Sequence, residues 1–168
     1  GNGGIESIGQ DAFVGCAKLE SIPLNSELKY IGDNAFKNCT NLQDFQMKGS
    51  LKEIPDSAFE NCNSLKEINI PASIERVGTN AFLGCRKISN IVFEDGDVPL
   101  IIEDNAFSAP SCKEIELPSR LKSLGANAFK NHWAEKIIVN GNIESIGANA
   151  FETATKYNFI LYSTLGSE

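Results

Sequence analysis

The residues of this 168-residue chain best suited to metal or nucleophilic chemistry are five cysteines and one histidine. Four of the cysteines, Cys16, Cys39, Cys62 and Cys85, recur at intervals of 23 residues. A zinc site needs ligands clustered at short spacings such as C-x-x-C with histidines nearby, and no such cluster exists. The even interval instead predicts one thiol per structural unit, stacked into a ladder with a rung every ~5 Å. Neighbouring Cα atoms would then lie within disulfide reach, but side chains pointing in parallel into a core disfavour a bridge, so buried free thiols are expected. Cys112 falls in a different, aliphatic slot and is expected in the core as well.

His132 takes the cysteine slot of the sixth unit, beside Trp133. A general base would need a nucleophile and an orienting carboxylate within hydrogen-bond reach, and the repeats concentrate no such polar groups inside. Its expected role is structural. Acidic side chains are spread over exposed slots rather than paired for acid–base work. Glycines recur once per unit with no G-x-G-x-x-G or phosphate-loop pattern. No catalytic residue, metal site or cofactor is therefore assigned, and the chain is not expected to be an enzyme. The acidic segment Glu94-Asp95-Gly96-Asp97-Val98 could offer carboxylates to calcium, but it lacks the twelve-residue EF-hand pattern and is expected to be a solvated turn.

The elements that must position these residues are repeats. Ala-Phe occurs seven times, with Phe at 13, 36, 59, 82, 107, 129 and 151. Five residues before each Phe stand Ile8, Ile31, Ile54, Val77, Ile102, Leu124 and Ile146. Eight before stand Ile5, Leu28, Leu51, Ile74, Pro99, Leu121 and Ile143, of which only Pro99 breaks the aliphatic rule. After each Phe comes an alternating run such as Leu65-x-x-Ile68-x-Ile70, which reads as a short strand with one buried face. From the fifth unit on, this run arrives one residue early, as at Cys112/Ile115/Leu117, so the deletion falls in the intervening loop. Two residues before each Phe lie Asp11, Asn34, Ser57, Asn80, Asn105, Asn127 and Asn149, all residues that cap helical turns, so Ala-Phe is expected to open a short helical or 3₁₀ segment. The slot four before Phe holds Gly9, Gly32, Gly78, Gly125 and Gly147 but also Pro55, which cannot take positive φ; close backbone approach is the expected reason for glycine there.

A single unit buries too little apolar surface to offset the entropy of ordering it, and stacking solves both the burial and the backbone hydrogen-bond problem. The expectation is a leucine-rich-repeat solenoid of about seven coils with a parallel sheet of short strands. The motif L-x-x-I-x-I/L-P followed by I-x-x-I-G-x-x-A-F-x-x-C, best preserved from Leu51 to Phe93 with Ile70-Pro71, Val77-Gly78, Ala81-Phe82 and Cys85, resembles the BspA-type leucine-rich repeats of bacterial and some protozoan surface proteins. The resemblance departs in units five to seven, where the cysteine slot becomes Pro110, His132 and Ala154. It implies a non-enzymatic adhesion or ligand-binding module at the cell surface or outside the cell, with a host matrix protein or another microbe's surface protein as partner.

Within the strands, the residues between the inward positions must face outward and form one surface. They are Ser21/Pro23, Asp44/Gln46, Glu67/Asn69, Asn90/Val92, Glu114/Glu116, Lys136/Ile138 and Asn158/Ile160. The partner-binding assignment rests on Asp44, Gln46, Glu67, Asn69, Asn90, Val92, Glu114, Glu116, Lys136, Ile138 and Ile160. A structural spacer within a larger surface protein is the first alternative. Glycan binding is the second, although Tyr30, Trp133, Tyr157 and Tyr162 are too scattered to form an aromatic platform.

Fifteen basic against 22 acidic residues leave a formal charge of -7, which gives no electrostatic reason to approach nucleic acid. No apolar run approaches the roughly 18 to 20 residues of a membrane span, so no membrane insertion is expected. Residues 1–4 read as a linker or expression remnant, 5–162 as one solenoid domain with repeats starting near 5, 28, 51, 74, 99, 121 and 143, and 163–168 as a tail. The first unit lacks a preceding strand, so the array is expected to be part of a longer protein. The last strand, expected over 157–162, offers an edge for weak self-association.

Overall fold

Two segments of each repeat carry apolar residues without helical spacing; the first becomes a strand in every repeat and the second from the third repeat on. The structure, a computed structural model, describes residues 4–24, 26–47, 50–153 and the backbone of 160–164. In chain order the first six strands are β1 (Ser7–Ile8), β2 (Tyr30–Ile31), β3 (Glu53–Ile54), β4 (Glu67–Ile70), β5 (Arg76–Val77) and β6 (Asn90–Phe93). They are followed by β7 (Leu100–Ile102), β8 (Glu114–Leu117), β9 (Leu121–Leu124), β10 (Lys136–Asn140), β11 (Ser145–Ile146) and β12 (Ile160–Thr164). All strand pairings are parallel. The expected solenoid forms, but with two sheets. One side consists of β1–β2 and the five-stranded series β3–β5–β7–β9–β11; the other consists of β4–β6 and β8–β10–β12. A bridge between Ser21 and Asp44 extends the second side toward the first coil.

The first sheet gathers the slot five residues before Phe, where Ile8, Ile31, Ile54, Val77, Ile102 and Leu124 are buried. Pro99 is exposed, and Leu100 takes the aliphatic slot in its place. The register shifts between Leu100 and Ile101, which face Leu121 and Ser123, so that Lys122 of β9 is the extra residue at the bulge. Pairing in the last strand runs to Thr164, two residues past the expected end, while 157–159 lie outside the described residues.

The turn side corrects one expectation: no helix, α or 3₁₀, forms among the described residues. In Asn34-Ala35-Phe36-Lys37-Asn38, the N–H groups of 34, 36 and 38 donate to Asp56, Ala58 and Glu60 of the next coil at 3.0, 2.8 and 2.8 Å. Those of Ala35 and Lys37 close local turns onto Gly32 and Asn34 at 3.2 and 3.0 Å. Because every second donor leaves for the neighbouring coil, a helical ladder cannot propagate. The Asp/Asn/Ser column is therefore not a row of caps. All seven residues, Asp11, Asn34, Ser57, Asn80, Asn105, Asn127 and Asn149, sit at φ of 55–59°. That left-handed conformation costs most L-residues about 1–2 kcal/mol and is tolerated best by Asn and Asp. The glycine column behaves as expected: a Cβ on Gly125 would overlap the backbone of Glu103 and Asp104 in the preceding coil.

Inside, the seven phenylalanines stack with ring centroids 5.1–6.1 Å apart and planes within 4–12°. The thiols of Cys39, Cys62 and Cys85 each donate to the Phe carbonyl of the preceding coil, Phe13, Phe36 and Phe59, at 3.0–3.1 Å. All five cysteines are free. Burial pushes Cys39 and Cys112 up to about 11 and Cys85 up to about 12. Cys16 departs from the expected ladder by being exposed, as no described coil covers that side of it. Cys112 is buried in its aliphatic slot, and Pro110 and His132 are buried where the cysteine motif lapses; Ala154 lies outside the described residues.

Candidate functional site

The alternation of the downstream strands sends one side chain of every pair into the core and the next to solvent. In β4, Ile68 and Ile70 are buried while Glu67 and Asn69 are exposed. In β8, Ile115 and Leu117 are buried while Glu114 and Glu116 are exposed. Asp44, Gln46, Asn90 and Val92 are exposed too, and Lys136 and Ile138 are partly so. The side chain of Ile160 and all of Asn158 lie outside the described residues. Parallel register places Glu67 opposite Asn90, Asn69 opposite Val92, Glu114 opposite Lys136 and Glu116 opposite Ile138. Backbone pairing continues from Lys136 to Ile160.

Several of these groups bind each other. Gln46 Nε2 donates to Asp44 Oδ1 at 2.7 Å, Lys136 Nζ lies 3.1 Å from Glu114 Oε2, and Asn140 Nδ2 donates to Glu116 Oε1 at 2.8 Å. The surface is thus a lattice in which Lys136–Glu114 and Asn140–Glu116 join successive coils, while Gln46 and Asp44 pair within one.

Between β6 and β8 this lattice breaks. The two strands are neighbours in the stack but share no ladder. The break coincides with the long acidic loop, which is held by a residue that stands outside the repeat pattern. Arg120 is only 4% exposed. Its Nε donates to the Glu94 carbonyl at 3.0 Å, Nη1 to Ile74 and Val98 at 2.7 and 3.2 Å, and Nη2 to Pro71 at 3.0 Å. One planar guanidinium thus pins four carbonyls across two loops. Burial pulls its pKa down, while Glu94 and Asp95 hold it charged. The Glu94 carboxylate reaches back to Asn69 Nδ2 at 2.7 Å and the Ala72 N–H at 3.1 Å. The loop is therefore more than a solvated turn: two of its carbonyls already face a cation. No group of three or more metal-ligating side chains exists among the described residues. The sequence signal was an arginine just before the Leu121 slot, where other units carry Glu27, Ser50, Ser73, Val98 or Asn142.

The resulting groove has a volume of about 300 Å3. Asn90, Val92, Phe93 and Asp95 line one wall, and Glu114, Glu116, Pro118 and Asn140 the other. Val92 is 46% exposed there, and Phe93 packs edge-on to Phe107 at 6.0 Å.

The opposite sheet carries a different cluster. Arg76 donates in bidentate fashion to Glu103 at 3.0 and 2.9 Å, lies 3.3 Å from Glu53 and also pairs with Asp56. The Thr79 N–H and hydroxyl add to Glu103 at 3.2 and 3.1 Å. Hydrogen bonding from Arg76 is the main reason that Glu103 titrates below the usual carboxylate range. Every acid of the cluster faces the same guanidinium, an arrangement that locks coils three to five together. Tyr30 and Trp133, 49% and 59% exposed, lie at β2 and just ahead of β10 on different parts of the surface. No helix among the described residues is long and apolar enough to cross a membrane.

The family model described as BspA type leucine rich repeat region matches six copies over residues 2–98 and 97–166. No curated protein matches the chain. Among solved structures, a leucine rich cell surface protein from Faecalibacterium prausnitzii superposes with a TM-score of 0.68 at 20% identity, covering 88% of this chain and 55% of that one. The pneumococcal vaccine antigen PcpA gives 0.61 at 29% identity, covering 71% and 30%. The leucine rich repeat protein of T. pallidum gives 0.56 at 25% identity, covering 80% and 52%. The chain thus spans about half the length of two of these structures and less than a third of the other.

Proposed function

Because the chain belongs to the BspA-type leucine-rich repeat family, we propose that it acts as a non-enzymatic binding module of a surface or secreted protein, recognising a protein partner through the outward face of β4, β6, β8, β10 and β12. The observation that carries this reading is the lattice itself. The outward strand residues lie in register from Glu67 to Val92 and again from Glu114 to Ile138, acidic and amide-rich with an exposed Val92 and a half-exposed Ile138. A stacked face of this kind offers a large, shaped surface for a macromolecule. The names of the relatives, a cell surface protein and a vaccine antigen, support placement outside the cell. Asp44, Gln46, Glu67, Asn69, Asn90, Val92, Glu114, Glu116, Lys136, Ile138 and Ile160 are the contact residues of this proposal.

The test is binding of the purified chain to a panel of immobilised extracellular matrix proteins and to whole bacterial cells, with the triple variant Asp44→Lys, Glu67→Lys, Glu114→Lys alongside. Saturable binding to a protein component that the variant weakens at least tenfold is expected. Binding that the variant leaves unchanged would refute the face as the contact surface.

A spacer role has one observation in its favour: the Phe stack and the parallel ladders run through successive coils and stiffen the rod. A spacer would bind nothing in the panel.

A further inference from the structure

On the reading of this sheet face as the binding surface, we infer that the groove between β6 and β8 is its anchor subsite and takes a lysine or arginine side chain of the protein partner. The inference starts from a departure in the repeat. From the third coil on, the other neighbouring strands on each side are joined by ladders, whereas β6 and β8 lie side by side unladdered. The loop beside the groove is fixed, since a nearly buried guanidinium, Arg120, ties the segment that ends in Val98 to the body of the solenoid through four carbonyls. A rigid cleft loses little conformational entropy when it is filled.

Shape and charge select the occupant. At about 300 Å3 the groove sits at the bottom of the roughly 300–1,000 Å3 range of ligand pockets, which suits one long side chain rather than a globular ligand. Its walls combine Val92, Phe93 and Pro118 with Asp95, Glu114 and Glu116, and no basic residue lines it. Lysine and arginine match this pairing because an apolar stem carries a cationic head. Glu114 already receives Lys136, and Asn140 occupies one oxygen of Glu116. Asp95 makes no hydrogen bond or ion pair among the described residues, so it and the second oxygen of Glu116 are the acceptors left for an incoming head group.

The proposal is tested by panning a phage-displayed peptide library on the immobilised 168-residue chain. Enriched peptides are then titrated against two double variants, Asp95→Asn/Glu116→Gln in the groove and Asp44→Asn/Glu67→Gln elsewhere on the same face, with unfolding curves confirming that both stay folded. Enriched peptides should carry Lys or Arg next to aliphatic residues and lose at least tenfold in affinity on the groove variant, more than they lose on the other. Peptides lacking basic residues, or peptides that weaken only on the Asp44/Glu67 variant, would overturn the groove while leaving the face as the binding surface. Affinity untouched by both variants would overturn the face as well.

Discussion

His132 shows how one side chain can replace another in the repeat and keep its place in the core. It is fully buried, its Nδ1 accepts the Ala134 N–H at 3.0 Å, and its Nε2 lies 3.1 Å from the Phe151 carbonyl. These two contacts fix a neutral ring with its proton on Nε2. Protonating Nδ1 would set two donors against each other, and burial already holds the ring below its ordinary value of 6.5, opposed only in part by the Phe151 carbonyl. The unfolded chain therefore binds the extra proton first as pH falls, and the folded state loses stability from about pH 6.5 downward. Urea unfolding should show this loss between pH 7 and pH 5.5, at up to roughly 1.4 kcal/mol per pH unit. His132→Cys, which restores the residue of the first four coils, should flatten the curve over that window. An unchanged slope in this variant would assign the pH dependence elsewhere.

At the scale of elements, the long loop and β7 depend on Arg120. Arg120→Met keeps much of the apolar stem but strands the carbonyls of Ile74, Glu94 and Val98, while that of Pro71 keeps the Ile74 N–H at 3.1 Å. Unsatisfied buried acceptors cost about 1–3 kcal/mol each when water cannot reach them. A loss of about 3 kcal/mol in unfolding free energy is expected, together with faster amide exchange at Gly96 and Asp97. Lysine should not rescue it, because a single ammonium cannot reproduce the fork. Wild-type exchange in the variant would show that the loop holds itself. This element also marks where sequence stops being legible. The aliphatic slots, the Phe column and the outward strand residues could be read because each follows from period and alternation. The Asn column could be located but was assigned to capping, since the same short polar residues favour caps and left-handed turns, and only the destination of the backbone N–H groups separates the two. The groove could not be read at all: it lies where two neighbouring strands share no ladder, beside a loop held by one nonrepeating arginine, and neither feature follows from the period.

For the whole molecule, the binding face exists only while the coils stay in register, so cooperativity along the stack limits function. Apart from Arg120, which reaches back to Pro71 across a whole coil, the contacts described join adjacent coils, and stability is nearly a sum of coil terms and interfaces. Position in the array should then set the cost of an identical substitution. Phe59 is fully buried, stacks between Phe36 and Phe82 and receives the edge of Phe45 at 4.6 Å. Phe13 stacks on Phe36 and stays partly exposed. Phe59→Ala is expected to cost about 4 kcal/mol and Phe13→Ala about half of that. Their melting profiles should differ in kind as well. A cavity at Phe59 weakens the interfaces on both sides of the third coil, so the calorimetric transition should broaden or split as the coils before and after it melt apart. Loss of Phe13 frays one end and should lower the midpoint of a transition that stays single. Equal losses and single sharp transitions in both variants would mean that the array unfolds as one indivisible block, with the groove at the fourth and fifth coils reporting damage done anywhere along it.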